Sequence, residues 1–480
     1  MWAHPDDANA LLDVSLLAGD PFRDKLSALM TSPAHRCTTP APLHEGWLDR
    51  AVAARPAHTA LETPQGSWTY SQLSAAAHHG AARLASMDIG AGARVAIALP
   101  GGLDFAQALH SCLLLGAVAV PIDPRLSTAE REPILAACDL LVEEPLGHGQ
   151  AHIGAVFHDL NALALVVHTS GTTSAPRPVE LTYGNLLWSA LGSAVALGQR
   201  PEDRWLCALP LSHVGGLSIL LRSCIYGTSV VLHERFEVEH VLLALRSQAI
   251  TLISLVATTL ARLLDAGLQG PLALRCALTG GGPVSEALVQ RALAVGVPVS
   301  LTYGLTEACS QVTTTPVAAI SRTQASAGPP LFCTRVRIAP DREILVRGPT
   351  VATVALAADG WLHTGDLGSL DEHGRLRVTG RKVETIVSGG ENVAPVEVEV
   401  VIEAHPGVLE AAVFGRPDPQ WGEAVAAIVV PRPGVVLEAE ELRVHCATAL
   451  ARYKVPKHFA FSNEPLPRTS SGKLLRRELT

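Results

Sequence analysis

Residues Leu163–Ser174 read LALVVHTSGTTS, and this stretch decides how the fold of the chain is interpreted. Its apolar part, Leu163–Val167, is short and ends in β-branched residues, which predicts a buried strand. The part behind it, Thr169–Thr173, holds four hydroxyl side chains and one glycine in five residues. Such a loop offers unhindered N–H and O–H donors, and a polyphosphate needs many donors in a small space. The loop lacks the G-x-x-x-x-G-K-[ST] spacing of a Walker A motif, and an ordinary Ser/Thr turn fits the segment alone equally well.

Apolar strands alternate with Ala- and Leu-rich helical stretches on both sides of this loop. The helix-like Leu73–Ala85, the strand-like Arg94–Leu99 and the helix-like Phe105–Leu115 are examples. This alternation indicates βαβ units and parallel sheet. Near residue 380 the pattern changes, and a unit of about one hundred residues follows, which is large enough to fold alone.

We therefore predict an α/β fold with two domains and an extension. Residues 41–382 form a large N-terminal domain of mixed and parallel sheets with flanking helices. Residues 383–480 form a small α+β C-terminal domain. Residues 1–40 are a poorly patterned extension, for which disorder and a docking role both stay open.

Length and composition exclude several classes of protein. A chain of 480 residues, with 48% hydrophobic and 17% charged residues, is typical of a globular protein of two or three domains. The net charge of −8 provides no basic face for nucleic acid or for an acidic membrane. No apolar run approaches the ~18 residues that cross a bilayer. The N-terminus shows no basic segment followed by an apolar one, so we expect no secretory signal. Nine cysteines without a C-x-x-C pair favour reduced thiols in the cytoplasm.

Five segments, taken in their order along the chain, resemble the adenylate-forming superfamily of acyl- and aryl-CoA synthetases and AMP-binding enzymes. They are Thr169–Thr173, Leu301–Glu307 (LTYGLTE), Trp361–Asp366 (WLHTGD), Gly380–Arg381 (GR) and Pro467–Lys473 (PRTSSGK). The resemblance implies the fold of that superfamily, in which the small C-terminal domain is mobile. It also implies a reaction in two steps: a carboxylic acid and ATP give an acyl-adenylate and pyrophosphate, and a thiol then displaces AMP. ATP, Mg²⁺ and, as co-substrate, CoA are the ligands that it implies.

The chemistry of the first step explains the catalytic residues that the resemblance assigns. A carboxylate and an α-phosphate repel each other unless positive charge stands between them. Lys473, on a flexible stem in a Ser/Gly-rich turn, is assigned this role. Thr306 and Glu307 are assigned to the same site, where a carboxylate can hold Mg²⁺ between phosphate oxygens. A solvated lysine and a glutamate at a helix N-terminus are the alternatives.

The resemblance also assigns the nucleotide and CoA contacts. They are Thr169, Ser170, Gly171, Thr172, Thr173 and Arg177 at the departing pyrophosphate, Gly280, Gly281, Gly282, Tyr303 and its neighbour Gly304 at the adenine, Asp366 and Arg381 at the ribose, and Ser388, Gly389 and Gly390 at the thiol. A carboxylate accepts from both ribose hydroxyls, and an arginine adds a planar fork of donors. A turn aspartate, a surface arginine and a plain glycine turn are the alternatives.

Two departures from the family pattern lead to further expectations. Ser174 and Pro178 stand where the family usually has glycine, so we predict a stiffer phosphate loop, in which Arg177 keeps the positive charge. The family's C-terminal domain swings about a residue that corresponds to Val383, where many relatives have Asp or Lys. We therefore expect no polar contact of the hinge side chain in this chain, although the rotation itself needs only backbone freedom.

Four segments are similar to the o-succinylbenzoate–CoA ligases of menaquinone biosynthesis: Leu209–Ser223, Ile225–Gly227, Val230–Glu234 and Glu307–Val312. That acid is a dicarboxylate, so its second carboxylate must be neutralised in the pocket. Arg222 is the candidate, directly or through water, with a helix-surface arginine as the alternative. We expect His213 to gate or line the acyl pocket, and Ser310 and Gln311 to be polar contacts; purely structural roles are the alternatives.

Other functions remain open on the sequence alone. A generic aryl- or medium-chain acyl-CoA synthetase, an adenylation enzyme that loads a carrier protein, and a non-catalytic nucleotide-binding protein share most of these motifs. The expected partners are a small carboxylic acid, ATP and CoA, with no nucleic acid and no membrane insertion. A homodimer is a further expectation.

Overall fold

The structure is a computed structural model and describes residues 43–147, 149, 154, 156–169, 177–270, 272–317, 319, 326–468 and 474–479. The helices are α1 (Trp47–Ala54), α2 (Tyr70–Ala85), α3 (Leu103–Leu115), α4 (Thr128–Leu135), α5 (Tyr183–Leu197), α6 (Val214–Tyr226), α7 (Val238–Ser247), α8 (Ala257–Asp265), α9 (Glu286–Ala294), α10 (Pro395–Glu403) and α11 (Ala439–Ala449). The predicted extension, residues 1–40, lies outside the described residues.

The strands of the first half are β1 (Leu43–Glu45), β2 (Thr59–Thr63), β3 (Gly66–Thr69), β4 (Arg94–Ile97), β5 (Val118–Pro121), β6 (Leu140–Val142), β7 (Phe157–Asp159), β8 (Leu163–Thr169), β9 (Arg177–Thr182), β10 (Arg204–Cys207), β11 (Ser229–Leu232) and β12 (Leu252–Leu255). Those of the second half are β13 (Cys276–Thr279), β14 (Val299–Leu305), β15 (Ser310–Thr314), β16 (Arg335–Ile338), β17 (Glu343–Arg347), β18 (Leu362–Leu370), β19 (Leu376–Arg381), β20 (Ile386–Ser388), β21 (Glu391–Val393), β22 (Val408–Asp418), β23 (Gly422–Pro431) and β24 (His458–Phe461).

Helix ends are set by local side-chain chemistry. Thr69, Ser127 and Thr182 each accept a hydrogen bond from the backbone three residues on, and the side chain at that position reaches back to form a capping box. Gly116 and Gly227 end helices α3 and α6 in the left-handed conformation, which glycine adopts without steric cost.

Two mainly parallel sheets dominate the first 315 residues. One has the order β15-β14-β13-β12-β10-β11-β2-β3, with antiparallel strands only at its two ends. The other has the order β6-β4-β5-β8-β9. Helices α2, α3 and α6 pack between the two sheets in one large apolar core, and α7, α8 and α9 cover the far face of the longer sheet. The predicted alternation of strands and helices is confirmed.

Two smaller sheets follow in the chain. Strands β16–β19 form an antiparallel meander whose core includes Tyr303 of β14 and Ala308 of the short turn between β14 and β15. Strands β20–β24 with α10 and α11 enclose a core drawn entirely from residues 386–459. The fold therefore consists of a large N-terminal domain and a small α+β C-terminal domain, as predicted. Among the described residues no helix is both long and apolar enough to cross a lipid bilayer.

Candidate active site

The carboxyl ends of β13 and β14 place two of the predicted motifs side by side. These strands are parallel neighbours, with Thr279 in register with Leu301, so the segments that follow them emerge at one edge of the sheet. Gly280 lies so close to β14 that a Cβ atom there would be 2.7 Å from the carbonyl oxygen of Thr302. Gly281 has a φ of +78°, which favours glycine. The glycine turn therefore packs against β14 at the residue that precedes Tyr303.

Tyr303, Asp366 and Arg381 form a connected polar cluster at this edge. The Tyr303 hydroxyl donates to Asp366 Oδ2 at 2.8 Å, and Arg381 Nε donates to Asp366 Oδ1 at 2.6 Å. Asp366 on β18 and Arg381 on β19 are register partners, which explains why residues fifteen apart in sequence meet. Burial, followed by the neighbouring Asp366 charge, raises the pKa of Tyr303 well above its usual range, so the phenol stays protonated and donates.

Thr306 and Glu307 lie on a short 3₁₀ turn, Thr306–Ala308, directly after β14. The turn is held by a backbone hydrogen bond from Ala352 to the Glu307 carbonyl at 2.8 Å. In the described part of the chain no hydrogen bond or ion pair occupies the half-buried Glu307 carboxylate, and no group of three or more His, Cys, Asp or Glu residues could hold a metal. A single carboxylate without a described partner fits Mg²⁺, because Mg²⁺ is usually bound by one or two carboxylates together with phosphate oxygens and water.

The hairpin β8–β9 lies next to the turn that carries Glu307. Thr169 and Arg177 are register partners at its mouth, and the Thr169 hydroxyl donates to the Arg177 carbonyl at 3.4 Å. Strand β9 packs against the 3₁₀ turn that carries Glu307. Ser170, Gly171, Thr172, Thr173 and Ser174 lie outside the described residues, as does Lys473.

The backbone turns sharply where β14 passes into β15. Cys309 and Ser310 have φ angles of +54° and +90°, a region that costs energy for residues with a side chain. A Cβ atom on Gly304 would be 1.7 Å from the Ser310 carbonyl oxygen, so only glycine fits there. Gly304, predicted as a nucleotide contact, thus has a structural role that its motif position did not reveal.

Arg222 is buried in the interior and not on a helix surface, so the surface alternative is wrong. Arg222 lies on α6 and is only 3% exposed, and burial lowers the pKa of its guanidinium. Nη2 donates to the Ser189 hydroxyl at 3.1 Å, and that hydroxyl donates to the Cys309 carbonyl at 2.6 Å. The residues described here supply no carboxylate to the guanidinium, and Nε lacks any hydrogen-bond partner among them.

Gln311 directly follows the sharp turn at Cys309 and Ser310. Helix α6 packs against β15, which begins with Ser310 and the buried Gln311. The Gln311 Nε2 donates to the Thr314 hydroxyl at 2.7 Å, whereas Oε1 has no partner in the part of the chain that is described. Arg222 and Gln311 thus bring unsatisfied polar atoms to the region around Cys309 and Ser310.

His213 occupies a different part of the molecule from Arg222. It is the N-cap residue of α6, nine residues before Arg222, which corresponds to about 13 Å along a helix. Burial lowers its pKa, against the opposing charge of Asp123, which is paired with Arg125 after β5. His213 is therefore neutral at physiological pH, and it is separated from the guanidinium.

Ser388, Gly389 and Gly390 lie in the C-terminal domain, at the β20–β21 hairpin. Gly389 and Gly390 have φ angles of +61° and +85°, as a two-residue hairpin turn requires. The Gly389 N–H donates to the Trp421 carbonyl at 2.8 Å, and Ser388 is buried. Val383, at the predicted hinge, is 74% exposed.

Sequence reasoning missed several residues that support this site. Ser189 carries no motif signal, and its role follows only from the packing of α5 against α6. Glu343, on β17, accepts from the Gly365 N–H at 2.9 Å and from Lys382 Nζ at 2.8 Å. Burial raises the pKa of Glu343, but the Lys382 and Gly365 donors outweigh burial and hold it below its usual value. Glu343 thus fixes the backbone at Gly365, the residue directly before Asp366.

The fold and this site define an enzyme class with a nucleotide site at the edge of a parallel sheet and a separate small C-terminal domain. The AMP-binding enzyme family matches residues 48–142 and 146–354, and the AMP-binding enzyme C-terminal domain family matches residues 397–473. The chain therefore belongs to the AMP-binding enzyme family.

Several known proteins are similar to this chain over most of its length. The chain is 38% identical over 475 residues to the 2-succinylbenzoate–CoA ligase of Bacillus subtilis, covering 90% of this chain and 97% of that protein. The solved structure of o-succinylbenzoate CoA synthetase from Bacillus subtilis with the acyl-adenylate intermediate OSB-AMP matches with a TM-score of 0.85 and 37% identity, over 91% of this chain and 98% of that one. The same synthetase with ATP and magnesium ion matches at 0.84 and 37%, over 91% and 99%. A Mycobacterium tuberculosis fatty acyl CoA synthetase matches at 0.70 and 29%, over 90% and 96%.

Proposed function

We propose that this chain is an ATP-dependent acid–CoA ligase that activates 2-succinylbenzoate as an acyl-adenylate and transfers the acyl group to CoA, a step of menaquinone biosynthesis. The observation that carries the choice of acid is Arg222, a buried guanidinium with no described carboxylate partner. Burying an unpaired charge costs roughly several kcal/mol of folding free energy, unless a ligand supplies the counter-charge. A dicarboxylate supplies it with the carboxylate that is not activated, and monocarboxylates do not.

The first half-reaction uses the edge formed by β13, β14 and β18. Tyr303 and the turn Gly280–Gly282 face the adenine, and Asp366 with Arg381 meets the ribose hydroxyls. Mg²⁺, held by Glu307 beside Thr306, supplies positive charge between phosphate oxygens. Lys473 supplies the charge between the incoming carboxylate and the α-phosphate, and the attack releases pyrophosphate toward the loop 169–173 and Arg177.

The acid lies beyond Glu307, beside the turn at Cys309 and Ser310. Arg222 binds the distal carboxylate, directly or through one water, because a guanidinium offers several donors in one plane. The Ser310 hydroxyl donates a further polar contact, and Gln311 contacts the acid through a water that donates to its unpaired Oε1, because an amide oxygen accepts and the ionised acid has no donor of its own. His213, at the far end of α6, lines the entrance to the acyl pocket and does not contact the distal carboxylate.

The second half-reaction needs a rotation of the C-terminal domain. We place the domain boundary at residues 382 and 383 and the hinge at Val383, whose exposed side chain leaves the backbone free to turn. The rotation withdraws Lys473 and brings Ser388–Gly390 to the thiol of CoA. The thiolate then attacks the acyl carbonyl, and AMP leaves.

The test is ATP–pyrophosphate exchange with a panel of acids. We expect exchange with o-succinylbenzoate at least tenfold faster than with benzoate or octanoate, and product formation with free CoA in preference to a holo-carrier protein. Comparable exchange with the monocarboxylates indicates a generic acyl-CoA synthetase. Preference for the carrier indicates a carrier-loading enzyme, and no exchange with any acid indicates a non-catalytic protein. Each of these three outcomes refutes the proposal.

We also propose that the enzyme is a cytoplasmic homodimer. The eight described cysteines are all free, which supports a reducing compartment. Trp188, Leu191 and Val195 are exposed along one face of α5, beside the exposed Phe332, and such a patch favours self-association. Sedimentation of the purified protein tests the dimer: a monomer at micromolar concentration refutes it. Fractionation of the cells that produce the chain tests its location.

A further inference from the structure

The described residues on the two sides of Lys473 in the sequence pair with each other. Arg468 and Leu474 form an antiparallel bridge, and the Leu475 N–H donates to the Pro467 carbonyl at 2.9 Å. Lys473 directly precedes Leu474, so one peptide bond separates it from a paired position. Two short arms flank the lysine in the sequence: Pro467–Arg468 is the first arm, and Leu474–Glu478 is the second, called the lysine arm below.

Arg476, on the second arm, satisfies three separate acceptors. Its Nε donates to the Val413 carbonyl at 3.2 Å, and Nη1 donates to Glu384 Oε2 at 2.9 Å. Nη2 contacts both carboxylate oxygens of Glu399, at 2.8 and 2.7 Å. The side chains of Arg476 and Glu399 are largely shielded from water, so these charge-assisted bonds are stronger and more geometrically specific than surface ion pairs.

The first arm is tied to the same strand. Arg468 Nη2 donates to Glu410 Oε2 at 3.1 Å, and Glu410 lies on β22, three residues before Val413. Both arms of the loop are thus fastened to β22, and the second is also fastened to α10 through Glu399.

The contact with Glu384 ties Arg476 to the chain next to the predicted hinge. It is the residue that follows Val383, at the end of the 3₁₀ turn Lys382–Glu384. One guanidinium therefore links the chain that leaves the hinge, helix α10 and the lysine arm. When the domain turns about Val383, these three parts move as one body.

We propose that Arg476 is a positioning residue for adenylation, which holds the lysine arm at a set distance from the hinge so that Lys473 reaches the α-phosphate. The proposal rests on the adenylation role proposed for Lys473. Arg476 touches neither ATP nor the acid and acts through the placement of another side chain. The second half-reaction does not use Lys473, so it does not need this placement.

The experiment separates the two half-reactions of the full-length enzyme. For Arg476→Gln we expect ATP–pyrophosphate exchange with o-succinylbenzoate to fall by roughly 10- to 100-fold, because a displacement of about 1 Å in a reacting group costs up to that factor. Transfer from presynthesised acyl-adenylate to CoA should stay within threefold of wild type. Arg476→Lys keeps one charged contact with Glu399 and should lose less exchange than Arg476→Gln.

Two further variants make the result decisive. Lys473→Ala sets the expected floor, with exchange lost and transfer retained; retained exchange in that variant overturns the role of Lys473 and the proposal with it. Arg443→Gln removes an exposed ion pair with Glu440 in the same domain and should leave both half-reactions unchanged. Equal losses of exchange and transfer in Arg476→Gln and Arg476→Lys show a merely structural role. Exchange within threefold of wild type in Arg476→Gln, with Lys473→Ala inactive, overturns the positioning role alone.

Discussion

Replacing Arg222 by methionine should change the stability and the activity of the protein in opposite directions. Methionine is unbranched and fills much of the space of the arginine stem, so the main change is the loss of the buried charge. Among the described residues this charge has one hydrogen bond, to Ser189, and no carboxylate neutralises it. Replacement of buried charge by apolar atoms is often neutral or stabilising by about 1–4 kcal/mol. We therefore expect the free energy of unfolding of the ligand-free protein to rise within that range.

The substrate-bound enzyme should lose much more than the free protein gains. Removing one partner of a buried ion pair costs about 3–5 kcal/mol, which corresponds to a fall in kcat/KM of roughly 150- to 4000-fold for o-succinylbenzoate. Benzoate has no second carboxylate, so its weak activity should change by less than about threefold. The ratio of the two kcat/KM values measures the specificity that Arg222 provides.

The assay combines steady-state kinetics on the two acids with urea unfolding of the ligand-free protein. Arg246→Met is the matched control, since Arg246 is exposed on α7 and, among the described residues, donates only to the Gly267 carbonyl at 3.3 Å. The control should leave both kcat/KM values unchanged. Unaltered kcat/KM for o-succinylbenzoate in Arg222→Met, or an equal fall for benzoate, would refute the reasoning.

Three further substitutions test other parts of the structure. Tyr303→Phe removes the hydrogen bond to Asp366, which contributes about 1.5–3 kcal/mol when the acceptor is charged, so the KM for ATP should rise about tenfold or more, as measured by exchange. Gly304→Ala places a methyl group 1.7 Å from the Ser310 carbonyl oxygen and should destabilise the protein by about 3 kcal/mol or more in urea unfolding, while an unchanged midpoint contradicts the geometry. Burial raises the pKa of Glu403 from 4.5 to about 7, so the folded state binds more protons than the unfolded state between these values and stability falls as the pH rises through them. Glu403→Gln should remove this loss, gaining at most about 3 kcal/mol at pH 8 and nothing at pH 4; equal effects at both pH values contradict it.

Much of the fold could be predicted because the signals are local. The helix-like stretch Leu73–Ala85 lies within α2, and the predicted strand Cys276–Thr279 is β13 without change. Periodicity and capping residues act over a few positions, so they are visible in the sequence. The order of strands in the longer sheet was not predictable, since β10 lies between β11 and β12 only because of how the crossovers pack.

The candidate site was predictable where motif residues neighbour each other and not where distant elements meet. The resemblance named Asp366 and Arg381, but the hydrogen bond from Tyr303, sixty-three residues before Asp366, appears only when the meander packs against β14. Ser189 and Glu343 were missed because a single buried polar residue leaves no pattern in the sequence. The predicted stiffening of the phosphate loop by Ser174 and Pro178 stays a prediction.

The sequence by itself determined the alternation of elements, the hydroxyl-rich loop behind β8 and the family of the chain, because these depend on residue type and short spacing. The tertiary structure decided that Arg222 is buried without a described counter-charge, that Cys309 and Ser310 adopt left-handed backbone angles, and that Arg476 joins the lysine arm to the hinge. Burial and ion pairing are properties of elements brought together from distant parts of the chain. No local pattern encodes them, since the same arginine on the same helix is a surface residue until a second helix and a strand cover it.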